Sequence, residues 1–224
     1  MKKLFVVLIF TSFTIACSSQ SQFGIFAGPQ ITSSKYTING LKQKNTAKYG
    51  FQAGFGWKIP FDVNLYFSPA AFYSLKGYHV TFNQKAFPPD TTAINNNTTI
   101  HTFELAFLLQ YDLSKQANHL FIKLGPSLDF QLFGNEKFDR KNTTSVDRKM
   151  IFSFGDYGHY AASMLLHFGF ESKEGLILSA QYTHGLGSIN NADGGPKICH
   201  RVYCISIGKI LNKKRIIIDT RAKE

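Results

Sequence analysis

The sequence predicts an all-β fold, an eight-stranded antiparallel up-and-down transmembrane β-barrel with short periplasmic turns and long extracellular loops. Three observations carry this expectation. Eight segments alternate apolar with polar or small residues at a period of two. The connections between them alternate short and long. The apolar faces hold more large side chains than the interior of eight strands, only just wide enough to be filled by side chains, can accept.

Taken in order, the first segment sets Phe23, Ile25, Ala27, Pro29 and Ile31 against Gly24, Phe26, Gly28, Gln30 and Thr32. The second sets Tyr49, Phe51, Ala53, Phe55, Trp57 and Ile59 against Gly50, Gln52, Gly54, Gly56 and Lys58. In the third, Val63, Leu65, Phe67, Pro69, Ala71, Tyr73 and Leu75 oppose Asn64, Tyr66, Ser68, Ala70, Phe72, Ser74 and Lys76. In the fourth, His101, Phe103, Leu105, Phe107, Leu109 and Tyr111 oppose Thr102, Glu104, Ala106, Leu108 and Gln110.

The fifth runs from Leu120 to Leu132, with Phe121, Lys123, Gly125, Ser127, Asp129 and Gln131 on the polar side. The sixth opposes Tyr160, Ala162, Met164, Leu166, Phe168 and Phe170 to His159, Ala161, Ser163, Leu165, His167, Gly169 and Glu171. The seventh, "GLILSAQYTHGLGS", sets Leu176, Leu178, Ala180, Tyr182 and Leu186 against Ile177, Ser179, Gln181, Thr183 and Gly185. The eighth sets Tyr203, Ile205, Ile207 and Leu211 against Val202, Cys204, Ser206, Gly208 and Ile210. Pro29, Pro69 and Pro126 each remove a ladder donor, which predicts bulges or rim positions for them.

Tight turns are expected at 60–62, 114–118 and 172–175, and long polar loops at about 34–47, 79–97, 134–155 and 188–198. This rhythm fits hairpins whose short turns share one rim with both termini. The apolar faces then meet lipid, and a spanning sheet must close because an unpaired edge in hydrocarbon leaves backbone groups unsatisfied. Tyr49, Trp57, Tyr73, Tyr111, Tyr160 and Tyr203 stand near the ends of the apolar faces, as interfacial girdles do.

Residues 1–21 read as a cleaved signal peptide: Lys2 and Lys3, then "LFVVLIFTSFTIA", then "CSSQSQ". The apolar run is short of the roughly 20 residues of a spanning helix. Residues 22–211 form the barrel and 212–224 a basic tail. Cys17 follows Ala16 as in a lipoprotein box, although Thr14 departs from it. Cys199 and Cys204 lie ~16 Å apart along a strand, beyond disulfide reach, so two free thiols are expected, with Cys204 inside the barrel. The net charge of +11 is spread through loops and tail rather than gathered into a nucleic-acid patch.

"TTIHTFELAFLLQYDL", "FIKLGPSLDF", "LSAQYTHGLGSI" and "VYCISIGKIL" resemble the PorT-like family of outer-membrane β-barrels of Bacteroidetes. The resemblance covers nearly all of the mature chain. It implies a Gram-negative outer membrane, no cofactor and no defined activity. This chain departs from it at the end, where Leu211 and "NKKRIIIDTRAKE" replace a terminal aromatic residue.

The candidate site is a luminal polar network. Strand parity sends Lys76, Glu104, Asp129 and His159 into its upper half and Lys58, Lys123, His167 and Glu171 into its lower half. A charge in a narrow lumen requires partners, because desolvating it alone costs several kcal/mol. No catalytic set is expected: His159 and Ser163 stand ~13 Å apart along a strand, and no Gly-x-Ser-x-Gly elbow is present. No metal site is expected either, since Cys199 and His200 point to opposite faces. The expected partners are outer-membrane lipid and proteins met by the loops or the tail, with the chain a monomer. A non-enzymatic binding or structural barrel follows. Its alternatives are a soluble or lipid-anchored carrier of a small apolar ligand, or a component of a secretion or motility complex.

Overall fold

The structure, a computed structural model, describes residues 21–141 and 143–212. The expected signal peptide up to residue 20, with Cys17, and the tail from 213 lie outside the described residues. Ten strands form one sheet: β1 (Gln22–Ile38), β2 (Leu41–Lys42), β3 (Lys44–Pro60), β4 (Leu65–Thr81), β5 (Asn95–Asp112), β6 (His119–Phe138), β7 (Val146–Lys149), β8 (Tyr160–Glu171), β9 (Leu176–Gly185) and β10 (Lys197–Ile210). β2 and β7 are short additions at the loop end. The other eight pair antiparallel with their chain neighbours, and β10 returns to β1 through pairs such as Gly24↔Ile210 and Gln30↔Cys204. The result is a closed eight-stranded up-and-down transmembrane barrel.

The face assignment follows from burial. Leu178 is 55% exposed and its strand neighbour Gln181 is 5% exposed. Across the belt the side chains turned outward are mostly Leu, Ile, Phe, Tyr and Ala, with Trp57 and Met164 among them, which suits hydrocarbon, while those turned inward are mainly Gly, Ser, Thr, Gln and charged residues, apart from an apolar cluster around Phe72, Leu108 and Leu165. Among the described residues no helix is long and apolar enough to cross a membrane. Cys199 and Cys204 are free and buried.

Two expectations are corrected. Stretches 34–47 and 134–138, expected as loop, are strand: β1 and β3 continue to a hairpin at Asn39 and Gly40, both with positive φ, and β6 reaches Phe138. Spanning takes about 9–11 residues per strand, so these strands of 17 and 20 residues project well above the belt. The remaining long connections are 82–94, 139–159 and 186–196.

The prolines are neither bulged nor at the rim. Pro29 pairs with Phe51, Pro69 with Phe107 and Pro126 with Met164, all in mid-strand and in unbroken register on that side. Each proline lacks its N–H only toward the other neighbour, and there the ladder loses two pairs and then resumes in the same register. Gly28 and Gly125 precede two of them. A Cβ at either would lie 2.0 or 2.1 Å from a neighbouring carbonyl oxygen, so the strands close up where the ladder is interrupted. The true irregularities lie elsewhere, between Ala47 and Gln52 of β3 and opposite His101–Thr102 in β6. At the second, Leu132 and Phe133 both face out, and the extra residue returns Glu136 and Phe138 to the inside.

Candidate functional site

The lumen is layered. At the periplasmic end, Lys58 of β3 reaches Asp112 of β5 at 2.7 Å and Glu171 of β8 at 2.8 Å. His119 Nε2 stands 3.0 Å from the same Asp112 oxygen and 3.5 Å from Glu171, as an ion-pair contact rather than a directed hydrogen bond. Gln110 donates to the other Asp112 oxygen at 2.7 Å. Asp112, His119 and Glu171 offer ligand atoms within 4.8 Å of one another, a spacing able to hold a metal ion. The Lys58 ammonium already sits on both carboxylates and supplies the positive charge there.

Just above, Lys123 Nζ donates to Ser68 Oγ at 3.1 Å and lies 5.1 Å from the centre of the Phe121 ring. His167 is its partner across the β6–β8 ladder, and His167 Nε2 has no hydrogen-bond partner. Next comes an apolar septum in which Phe72, Ala106, Leu108 and Leu165 pack together with Phe26 and Ala70. Phe26 and Phe72 meet edge to face at 5.7 Å.

Beyond the septum is the second ionic tier. Lys76 of β4 lies 2.8 Å from both Glu104 of β5 and Asp129 of β6, and each of the three is about 1% exposed. Asp129 also accepts from Ser127 at 3.2 Å and from Ser163 at 3.0 Å, and Glu104 from Thr102 at 3.4 Å. Every acid in this tier is therefore held by a cation and at least one hydroxyl, the condition under which buried charge is tolerated. Ser163 is spoken for as a donor to Asp129.

His159 does not join these groups, contrary to its strand parity. It precedes β8, is exposed, and its ring lies 5.7 Å from Phe152 and 6.2 Å from Tyr160. The strand starts one residue later than the alternation suggested, and the chain there belongs to the 139–159 connection. Lys76, Glu104 and Asp129 are brought together, as are Lys123 and His167, while Glu171 stands with Lys58.

Above the upper tier the inside becomes apolar. Tyr36, Ile38, Tyr78, Val80, Ile100 and Ile198 on the strands pack with Ala86, Met150, Tyr157 and Ile189 from the connections. The connection 82–94 folds back over this mouth. Tyr36 donates to the Pro88 carbonyl at 3.3 Å, and Arg148 joins the Pro89 carbonyl at 2.9 Å to Glu136 at 2.7 Å. Tyr157 donates to the other Glu136 oxygen at 2.8 Å. Desolvation raises the Tyr157 phenol well above its ordinary pKa, so it remains a donor to Glu136.

The model of the family described as "outer membrane protein beta-barrel domain" matches residues 15–191. The chain belongs to that family. No curated protein matches it. Among solved structures it is similar to the outer membrane protein OprG from Pseudomonas aeruginosa, at 14% identity over 86% of this chain and 97% of that one, with a TM-score of 0.44. It is similar to Ail, the attachment invasion locus protein of Yersinia pestis, at 11% identity over 84% and 97%, with a TM-score of 0.41. For Neisserial surface protein A the figures are 10%, 83%, 96% and 0.41.

The outer-membrane barrel assignment therefore rests on the family match and on this chain's own closed sheet. Several site residues escaped the sequence reading. Asp112 and His119 extend the inward parity of Gln110 and Phe121 by one step past the expected strand ends, which is the signal that could have found them. Tyr36, Glu136 and Arg148 fall in stretches expected as loop, and Tyr78 continues the inward parity of Ser74 and Lys76 one step past the expected strand end.

Proposed function

We propose that this protein is a non-enzymatic outer-membrane barrel without an open pore, exported through its 1–21 signal segment, whose extracellular connections carry binding. One observation supports this reading above all. The lumen is crossed by the Phe26–Phe72–Leu108–Leu165 septum and covered at its outer mouth by the apolar cluster around Tyr36, Tyr78 and Tyr157. Hydrated ions have no continuous polar path through two dry layers.

Binding falls to the connections because they present apolar side chains to water. Phe154 is 97% exposed, and Ile151, Phe87 and Ile94 are exposed near it in sequence or on the neighbouring loop. Such residues above the belt have no lipid to cover them and suit contact with a protein partner. The PorT resemblance is compatible with a partner in a secretion or motility complex, and co-purification from native membranes tests that class directly.

The experiment for the main reading is conductance. Protein reconstituted in planar bilayers should be nearly silent. Large, stable channels would overturn the closed-lumen reading. Replacing Leu108 and Leu165 by Ser should raise conductance in the same bilayers only if the outer cap is removed as well.

A further inference from the structure

Between the lower ionic tier and the septum the lumen holds a cavity of about 70 Å³. That is well above the roughly 10–15 Å³ a cavity needs to hold a single water. Its walls are mostly apolar, with Phe26, Phe72 and Leu108 toward the septum and Phe121 at the side. It reaches past Lys58 and Glu171 to Gln22 and Ile210, at the periplasmic ends of β1 and β10, and is not lined by Lys76, Glu104 or Asp129.

One cation faces this space without a counter-charge. Lys123 has a hydroxyl and an aromatic face beside it, and among the described residues no carboxylate lies within ion-pair distance. The acids of the tier beneath, Asp112 and Glu171, are engaged by Lys58 and His119. Beside Lys123, His167 Nε2 has no partner and can donate when it carries the proton. An ammonium, a hydroxyl and an imidazole nitrogen therefore converge at one side of an otherwise apolar chamber. A buried charge without its partner is costly, and a resident anion would offset that cost.

We propose that this cavity binds a short-chain carboxylate entering from the periplasm. The carboxylate takes Lys123 Nζ, with Ser68 and His167 Nε2 within its reach, and the alkyl end lies against Phe26, Phe72 and Leu108. Carboxylate rather than a bare inorganic anion fits because Phe26, Phe72 and Leu108 give an alkyl chain carbon to lie against, while Ser179, Gln181 and Ser206 complete the wall on the β9 and β10 side. The length of the tail is limited by the septum. The proposal is independent of the closed-lumen reading, since a ligand entering and leaving at one rim needs no path across the membrane.

The test uses the full mature chain refolded in detergent micelles and propionate as the probe, followed by saturation-transfer NMR. Saturable one-to-one binding is expected. Lys123→Met should weaken it at least tenfold while melting no lower than the parent, because it removes a charge that has no ion pair. Ala70→Phe fills the same cavity and keeps the lysine, and it should weaken binding to a similar degree. Should Lys123→Met fail to fold, Ala70→Phe decides alone. Chloride and inorganic phosphate should compete at least tenfold less well than propionate. The proposal is overturned by an absence of saturable binding, by Ala70→Phe binding as the parent does, or by chloride competing on equal terms.

Discussion

The belt and the extracellular head of this barrel use the same strands in opposite senses. On β1, Gln30 and Thr32 face in and Ile31 faces out; a few residues on, Tyr36 and Ile38 face in while Lys35 and Thr37 face out. On β4, Ser74 and Lys76 face in below Tyr78 and Val80, and the outward series changes from Tyr73 and Leu75 to His79 and Thr81. β5 follows only in part: Ile100 faces in above Glu104 and Thr102, but Thr98 and Asn96 beyond it are buried polar residues, while its outward side changes from Phe103 to Thr99, Asn97 and Asn95. Parity is unchanged and polarity is reversed. Parity is set by the pleat, whereas polarity reports the surrounding solvent, so the reversal marks where lipid ends and water begins.

The largest expected effect attacks the belt from within. Lys76→Met leaves Glu104 and Asp129 facing each other without their cation, and it should cost about 3–5 kcal/mol in refolding titrations into lipid vesicles. Replacing all three by apolar residues of similar volume should restore most of that loss. If the single variant is as stable as the parent, the upper tier is not held by Lys76.

The next pair sharpens the contrast from outside. Leu178 on the belt and Leu41 on the head hairpin are exposed to nearly the same extent, 55% and 54%. Leu178→Arg should destabilise by roughly 2–4 kcal/mol because the charge enters hydrocarbon. Leu41→Arg should change stability by no more than about 0.5 kcal/mol because it enters water. Gln181→Arg, turned to the lumen beside Gln52, should fall between them. Equal costs at 178 and 41 would mean that the two leucines share one solvent.

Within the head, Tyr157→Phe removes a donor to Glu136 and an acceptor from the Asn96 amide at 3.2 Å. A loss of about 1–3 kcal/mol is expected, read as faster hydrogen exchange in 139–159 with the belt unchanged. The smallest effect concerns pH. The Asp90 carboxyl is held below its usual range chiefly by the Thr92 backbone N–H, with Arg140 2.9 Å away. A lowered folded pKa means the contact contributes fully above the ordinary carboxylate value of about 3.9 and is lost as pH falls through the depressed one. NMR of the 82–94 connection should show this acid step, and Asp90→Asn should abolish it.

Much of the belt was legible in the residues themselves. Alternation at period two is a local property, so the inward series Gln30, Gln52, Lys76, Glu104 and Asp129 could be named without knowing which strands are neighbours. The strand ends were harder to place. β1, β3, β4, β5 and β6 appeared to stop where their polarity inverts, because a pattern judged by one solvent looks broken when the solvent changes.

What the sequence by itself determined was the number of crossings, the short turns at one rim and the face turned to lipid, all of which follow from neighbours along the chain. The partners of Lys58 and Lys76, the unmatched position of Lys123, the septum and the cap over the mouth were decided only by closure of β10 onto β1 and by the stagger between strands. Those contacts join residues that can be more than a hundred positions apart, such as Lys58 and Glu171. Their distances depend on register and strand tilt, which no local pattern specifies.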